Sequence, residues 1–193
     1  MIRVEKQPEP DQFDAHCRAP GNAWLTAHPD QHQCAPPYWT EFKPHLRQAF
    51  GERCAWLAMW IAGGTVDHFH AQRDFPEQIY EWSNFRYSDS EINSAKKPAW
   101  EGRLLDPFEV DDGWFEILLP SCQLRILEQL VPEAMRERVR FTVSSLRLDH
   151  GEKVVDLRRH WLEQYESQSM TIEALERHAP LVARAVRKRD ATR

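Results

Sequence analysis

Residues 55–69 read Ala-Trp-Leu-Ala-Met-Trp-Ile-Ala-Gly-Gly-Thr-Val-Asp-His-Phe. The first eight residues are apolar on both faces, which predicts a buried strand, and Gly63-Gly64 predicts a tight turn after it. A second strand then covers Thr65 to Phe69. The predicted hairpin places Asp67 and His68 next to each other on its second strand.

Two downstream segments complete this unit. Residues 80–84, Tyr-Glu-Trp-Ser-Asn, are expected to return against the hairpin and carry Asn84. Residues 88–91, Ser-Asp-Ser-Glu, offer N-cap side chains for a short helix that carries Asn93 and stops at Pro98. The predicted order is therefore strand, strand and short helix.

The residue types in this unit suit the hydrolysis of a phosphodiester. Asp67 offers a hard oxygen ligand beside His68, a base that is partly neutral at physiological pH, and a later amide can complete a metal site. An Asp-His pair alone also arises by chance, and a buried histidine satisfied by an aspartate is a common structural result. The preceding double glycine and the two later asparagines favour a nuclease.

Length and composition predict a chain that can bury a substantial core. It has 193 residues, of which 41% are hydrophobic. No stretch approaches the roughly 18 apolar residues of a membrane span, and the first residues lack the apolar segment of a signal peptide. We therefore expect a cytoplasmic protein without a membrane partner. The four cysteines form no C-x-x-C pair, which favours free thiols.

Positive charge is concentrated in two regions although the net charge is −5. Residues 177–193 carry six Lys or Arg and one acid, Asp190. A second basic cluster comprises Arg136, Arg138, Arg140 and Arg147. Each cluster could follow a phosphate backbone, but a solvated helix face is the interpretation that we favour.

The chain divides into three predicted parts of an α+β fold. Residues 1–37 lack periodicity and predict an irregular N-terminal arm. Residues 38–120 form the predicted nuclease core, which begins with a helix that buries Phe42, Leu46 and Phe50 and ends at Gly51. Residues 121–193 predict a C-terminal helical region, with helices near 132–139, 152–168 and 170–189 and an interruption at Pro180.

Three segments resemble the HNH endonuclease motif of a bacterial branch: Val66-Asp67-His68-Phe69, Tyr80-Glu81-Trp82-Ser83-Asn84 and Asn93-Ser94-Ala95-Lys96. The branch is that of the PtuB-type HNH subunits of Septu anti-phage systems, which are encoded beside an ABC-type ATPase and also occur attached to some retrons. The resemblance covers about residues 50–110. It implies a ββα-metal core embedded in a mostly helical surround.

The resemblance also implies a role for each motif residue. Asp67 and Asn93 would be metal ligands, His68 the general base that activates water, and Asn84 the residue that braces the loop and orients His68. An Asp/Asn oxygen set suits Mg²⁺ or Mn²⁺. Many HNH proteins bind a structural zinc through C-x-x-C pairs, but Cys54 stands alone here, so we do not expect one.

Two functions from different classes follow from this resemblance. The first is a metal-dependent HNH endonuclease, the effector subunit of an anti-phage complex that an ABC-type ATPase partner controls. Its substrate is nucleic acid, with DNA favoured over RNA. The alternative is a non-catalytic adaptor on an HNH scaffold that binds the ATPase. Retention of Asp67, His68, Asn84 and Asn93 argues against the adaptor.

Overall fold

A computed structural model describes residues 1–192 of the chain and confirms the predicted α+β class. Its strands form two small antiparallel sheets, β1 with β2 and β3 with β4. Short 3₁₀ helices connect many of the longer elements. The α-helices are α1 (Ala19–Ala27), α2 (Lys43–Ala49), α3 (Ser90–Ala95), α4 (Glu133–Ser145), α5 (Glu152–Glu166), α6 (Ile172–His178) and α7 (Pro180–Asp190), and the strands are β1 (Thr65–His68), β2 (Phe85–Ser88), β3 (Phe115–Leu118) and β4 (Gln123–Ile126).

The first sheet differs from the predicted hairpin in its pairing. Strand β1 carries Asp67 and His68 as expected, but it pairs with β2, where Arg86 and Phe85 lie opposite them. The strand predicted over the apolar run before Gly63 is wrong. Residues 54–61 instead fold into turns, closed by the hydrogen bond from Cys54 N to Met59 O. Apart from Trp60, which is half-buried and forms an isolated antiparallel bridge with Arg53, they are buried by packing outside any sheet. A continuous apolar run therefore did not require a strand.

Gly64 has a packing role in place of the predicted turn role. A Cβ atom on this residue would lie 2.6 Å from the ring of Tyr87 on β2. Glycine therefore lets the Tyr87 ring pack directly against the backbone that leads into β1.

Helix α3 begins where the sequence predicted, directly after β2. The Asp89 side chain accepts hydrogen bonds from the backbone N–H groups of Glu91 and Ile92, which caps the helix. Ile92 is buried against the core. The second strand and this helix therefore follow one another with a single residue between them, so β1, β2 and α3 are adjacent in chain order.

Residues 1–37 are not the irregular arm that the sequence predicted. They contain a π-helical turn, Asp14–Arg18, and then α1, and both Phe13 and Cys17 are fully buried. The Phe13 ring contacts Phe42 and Phe85 edge to face. The segment lacked a periodic pattern because a few large contacts, rather than a continuous apolar face, attach it to the core.

Helix α2 confirms the helix expected after residue 38, with Phe42, Leu46 and Phe50 buried. The C-terminal helices also match their patterns, and Pro180 starts α7 as the first residue of that helix. The prediction missed β4, which pairs with β3 before the helices begin. Among residues 1–192, no helix has the length and apolarity that crossing a bilayer requires.

Candidate functional site

An open cavity of about 470 Å³ lies beside the first sheet. Asp67 and His68 reach it from β1, Asn93 reaches it from α3, and Lys96 reaches it from the residues that follow this helix. Three of the four predicted site residues therefore line one cavity. Asn84 does not line it.

Asp67 lies at the buried side of the cavity, with 1% of its surface exposed. Its Oδ2 atom accepts a hydrogen bond of 3.0 Å from the indole N–H of Trp56. Its Oδ1 atom lies 2.6 Å from the ammonium nitrogen of Lys96. Burial raises the pKa of the Asp67 carboxyl, and the charge of Lys96 opposes that shift.

His68 is half-buried on the same strand, with its ring edge-on to Trp39 and Phe85. Its Nε2 atom lies 2.9 Å from the carbonyl oxygen of Ile79. A carbonyl only accepts, so Nε2 carries the proton and Nδ1 holds the lone pair. The pKa of His68 is lowered to about 4, mainly by burial; the Ile79 carbonyl opposes this shift and the Lys96 charge adds to it. The imidazole is therefore neutral at physiological pH.

The amide nitrogen of Gln72 lies 3.1 Å from Nδ1 and 3.2 Å from Nε2 of His68. Gln72 also lines the cavity, so it reaches the ring from the open side. No motif in the sequence pointed to this residue. Its amide therefore lies close to both ring nitrogens, including Nδ1, at which a proton would be accepted.

Asn84 is buried behind the cavity and hydrogen-bonds only to backbone. Its Oδ1 accepts from His70 N at 2.7 Å, and its Nδ2 donates to the carbonyls of His70 and Gln78. These bonds tie Asn84, the last residue of the loop between β1 and β2, to His70 near the start of the loop and to Gln78 in its middle. Gln78 precedes Ile79, whose carbonyl contacts His68. This is the geometry that a loop-bracing role requires, and it makes Asn84 a positioning residue.

Asn93 offers the second oxygen that the predicted metal site needs. Its Nδ2 donates to Thr65 Oγ1 at 3.1 Å, and its Oδ1 takes no hydrogen bond from residues 1–192. Within this part of the chain, no group of three or more His, Cys, Asp or Glu side chains could hold a metal. A carboxylate and an amide oxygen on one cavity suit Mg²⁺ or Mn²⁺, because Mg²⁺ keeps several waters and needs few protein ligands. The donor set therefore fits the expected ion.

Lys96, the residue that follows α3, is nearly buried. Only 10% of its side chain is exposed, and its ammonium lies over the rings of Trp56 and Phe69. The sequence contained one signal, since Lys96 is the last residue of the Asn93-Ser94-Ala95-Lys96 segment that carries the motif resemblance. Its partner was not visible, because Asp67 is 29 residues away in sequence.

A second titratable pair lies next to the cavity. His70 Nδ1 lies 2.7 Å from Glu101 Oε1, and Glu101 lines the cavity wall. The backbone of His70 is the segment that Asn84 holds. Glu101 directly follows the 3₁₀ turn Pro98–Trp100 after α3, and no motif in the sequence pointed to it.

Most of the two basic clusters is neutralised by nearby acids. The ion pairs are Arg184–Asp112, Arg187–Glu176, Lys188–Glu116 and Arg189–Glu166 at the C-terminal end, and Arg136–Glu133, Arg138–Glu109 and Arg140–Glu128 in the other cluster. Arg193 lies outside the described residues. This pairing favours the solvated helix face over a phosphate track. Lys97, by contrast, is exposed at the cavity and has no ion-pair partner in residues 1–192.

The chain matches no protein-family model and no curated protein, so the chemistry of this cavity has to be inferred from the sequence motif and from the arrangement of Asp67, His68 and Asn93.

Proposed function

We propose that this protein is a metal-dependent HNH-type endonuclease that hydrolyses phosphodiester bonds in nucleic acid. One observation carries the proposal: a neutral His68 lies on the same cavity as the oxygens of Asp67 and Asn93. These residues are presented by β1 and α3, with β2 between them in the chain, as in a ββα-metal core. Both the motif resemblance and this arrangement support the proposal.

His68 acts as the general base in this proposal. Its Nδ1 lone pair accepts a proton from the attacking water, and the Ile79 carbonyl holds the proton on Nε2. The same carbonyl stabilises the positive charge that the ring gains. Asn84 contributes by holding the loop that carries Ile79.

Asp67 and Asn93 would hold Mg²⁺ or Mn²⁺. The bound ion supplies charge stabilisation at the scissile phosphate and at the leaving oxygen. Asp67 is fixed for this purpose by Trp56, which leaves Oδ1 directed toward Lys96 and the cavity. Asn93 is fixed in turn by its bond to Thr65.

The cavity edge offers groups for a nucleic-acid chain. Lys97 is exposed there, and its ammonium lies over the Trp100 ring. A lysine can pair with phosphate, and an aromatic ring can stack on a base. We favour DNA as the substrate. By the resemblance, the cellular role is that of a cytoplasmic anti-phage effector subunit under the control of an ABC-type ATPase.

The test is cleavage of plasmid DNA and of RNA with Mg²⁺ or Mn²⁺. His68→Ala should lower the rate by about 100-fold or more, because the general base is lost. His150→Ala is the matched control, since His150 is exposed and does not line the cavity. Equal cleavage by His68→Ala and wild type would show that the base is misassigned.

A non-catalytic adaptor is the second candidate, and the Asp67–Lys96 ion pair favours it. A carboxylate that is already satisfied by an internal cation is also what a purely structural site contains. If wild type cuts neither DNA nor RNA, with or without the ATPase partner, but binds that partner, the adaptor is the function.

A further inference from the structure

The chain changes direction at Lys96, and this turns its side chain under β1. Helix α3 ends at Ala95, and Lys96 has an extended backbone with φ −63° and ψ 137°. Its ammonium then reaches Asp67 Oδ1 at 2.6 Å and the carbonyl oxygen of His68 at 3.1 Å. Lys96 therefore binds the strand at the two residues proposed for the reaction.

The ammonium occupies the position that a metal ion would need. Asp67 Oδ2 is held by the indole of Trp56, so Oδ1 is the oxygen available to a cation, and Lys96 is bound to it. A divalent ion on Oδ1 and an ammonium 2.6 Å from the same atom would repel each other strongly. Both cations cannot occupy these places together.

Burial gives the Asp67–Lys96 ion pair a large desolvation cost. The Asp67 side chain is 2% exposed and that of Lys96 is 10% exposed. Removing two charges from water opposes folding, and two well-packed apolar side chains of similar volume often stabilise a protein at least as much as a buried ion pair does. Lys96 also lies on the cavity wall, so its ammonium has open space to move into.

We propose that Lys96 is an exchangeable internal cation, which neutralises Asp67 when no metal is bound and leaves Asp67 Oδ1 when a divalent ion binds. This inference rests on the metal site of the proposed function. The released ammonium moves into the cavity, where it faces the phosphate of a bound nucleic acid. Metal binding therefore changes a neutral Asp67–Lys96 pair into a site with free positive charge, and this strengthens phosphate binding.

Mn²⁺ binding to the full-length protein, measured from the EPR signal of free Mn²⁺, tests the exchange. Lys96→Met removes the competing charge and keeps the aliphatic stem, so Mn²⁺ should bind about 10-fold tighter or more, because at least one close charge repulsion is removed. Lys97→Met is the matched control, since Lys97 is the next residue and makes no contact with Asp67. Equal or weaker binding by Lys96→Met than by Lys97→Met would overturn the proposal.

A second measurement uses wild-type protein alone and so does not depend on the folding of a variant. An amine-reactive reagent should label Lys96 slowly without metal and faster with Mn²⁺, as read by peptide mass spectrometry. Lys153 is the internal reference, because it is ion-paired with Asp89 and Glu91 but half exposed and away from the cavity. Labelling of Lys96 that stays constant or slows when Mn²⁺ is added would overturn the exchange.

The two proposals fail in different ways. If wild type cleaves DNA in a manner that needs His68, but Lys96→Met gains no affinity and labelling is unchanged, the exchange is wrong and the nuclease stands. If no variant cleaves nucleic acid but Lys96→Met binds Mn²⁺ more tightly, the exchange stands and the nuclease is wrong.

Discussion

The carbonyl oxygen of Ile79 lies 2.9 Å from Nε2 of His68, although His68 is the last residue of β1 and Ile79 lies inside the loop that leads to β2. This contact fixes the tautomer of the imidazole and leaves Nδ1 as the proton acceptor. A backbone carbonyl cannot be removed by a side-chain substitution. The loop that carries it can be disturbed through the residues that hold it.

The pH dependence of stability should report the environment of His68. The folded pKa is about 4, below the ordinary value of 6.5, because burial disfavours the charged ring. Between these values the unfolded chain binds a proton that the folded protein does not, so stability falls as pH decreases from about 6.5 to about 4. Above pH 6.5 the ring is neutral in both the folded and the unfolded state, so no stability is lost. Below pH 4 the ring is protonated in both states, so the loss of stability increases no further. His68→Gln lacks this titration.

The measurement is urea unfolding of metal-free wild type and His68→Gln between pH 4 and 8. Groups that titrate in both proteins contribute equally to both unfolding free energies, so they cancel when one is subtracted from the other. The wild type should lose stability relative to the variant within this window. A difference that does not change with pH would mean that the pKa of His68 is not lowered by folding.

Asn84→Ala should destabilise the protein and impair catalysis together. It removes three hydrogen bonds between a buried side chain and backbone groups of the loop, which we expect to cost about 3 kcal/mol at about 1 kcal/mol each. Chemical denaturation gives the loss. Asn22→Ala is the control, since Asn22 is an exposed residue of α1. Cleavage that persists at wild-type rates in folded Asn84→Ala would contradict its role in positioning His68.

Asp106→Ala should be among the more damaging substitutions outside the cavity. Asp106 forms two hydrogen bonds with the guanidinium of Arg86, which is 2% exposed and lies opposite Asp67 across the sheet. Leaving a buried charge without its partner costs about 3–5 kcal/mol. Glu128→Ala breaks a similar two-bond pair with Arg140 on the surface and should cost at most about 1 kcal/mol. Similar unfolding free energies for both variants would refute this distinction.

Lys97→Ala should weaken DNA binding without changing the fold. Lys97 is exposed at the cavity edge, so a phosphate contact there would release about one counterion. Fluorescence anisotropy at several salt concentrations should show a salt slope smaller by about 0.7–0.9. Arg140→Ala is the control, because Arg140 is already paired with Glu128. An unchanged slope for Lys97→Ala would place the nucleic acid elsewhere.

Local patterns predicted the parts of this fold that depend on neighbours in sequence. The Asp89 cap, the buried face of α2 and the break at Pro180 are each set by residues within about one helical turn, and all three are confirmed. The strand predicted before Gly63 is wrong because apolarity shows that a segment is buried but does not show what covers it. The partner of β1 is β2, which lies beyond a loop of sixteen residues, from Phe69 to Asn84.

The sequence by itself determined which chemical groups are present and roughly where they fall on strand and helix: Asp67 and His68 together on β1, and Asn93 on a capped helix. Only the tertiary structure decided what each group contacts. Lys96 neutralises Asp67, and Ile79 sets the tautomer of His68. Asn84 holds the loop that carries Ile79. These contacts join residues that are distant in sequence or belong to irregular loops, and packing of the whole chain, rather than local propensity, determines them.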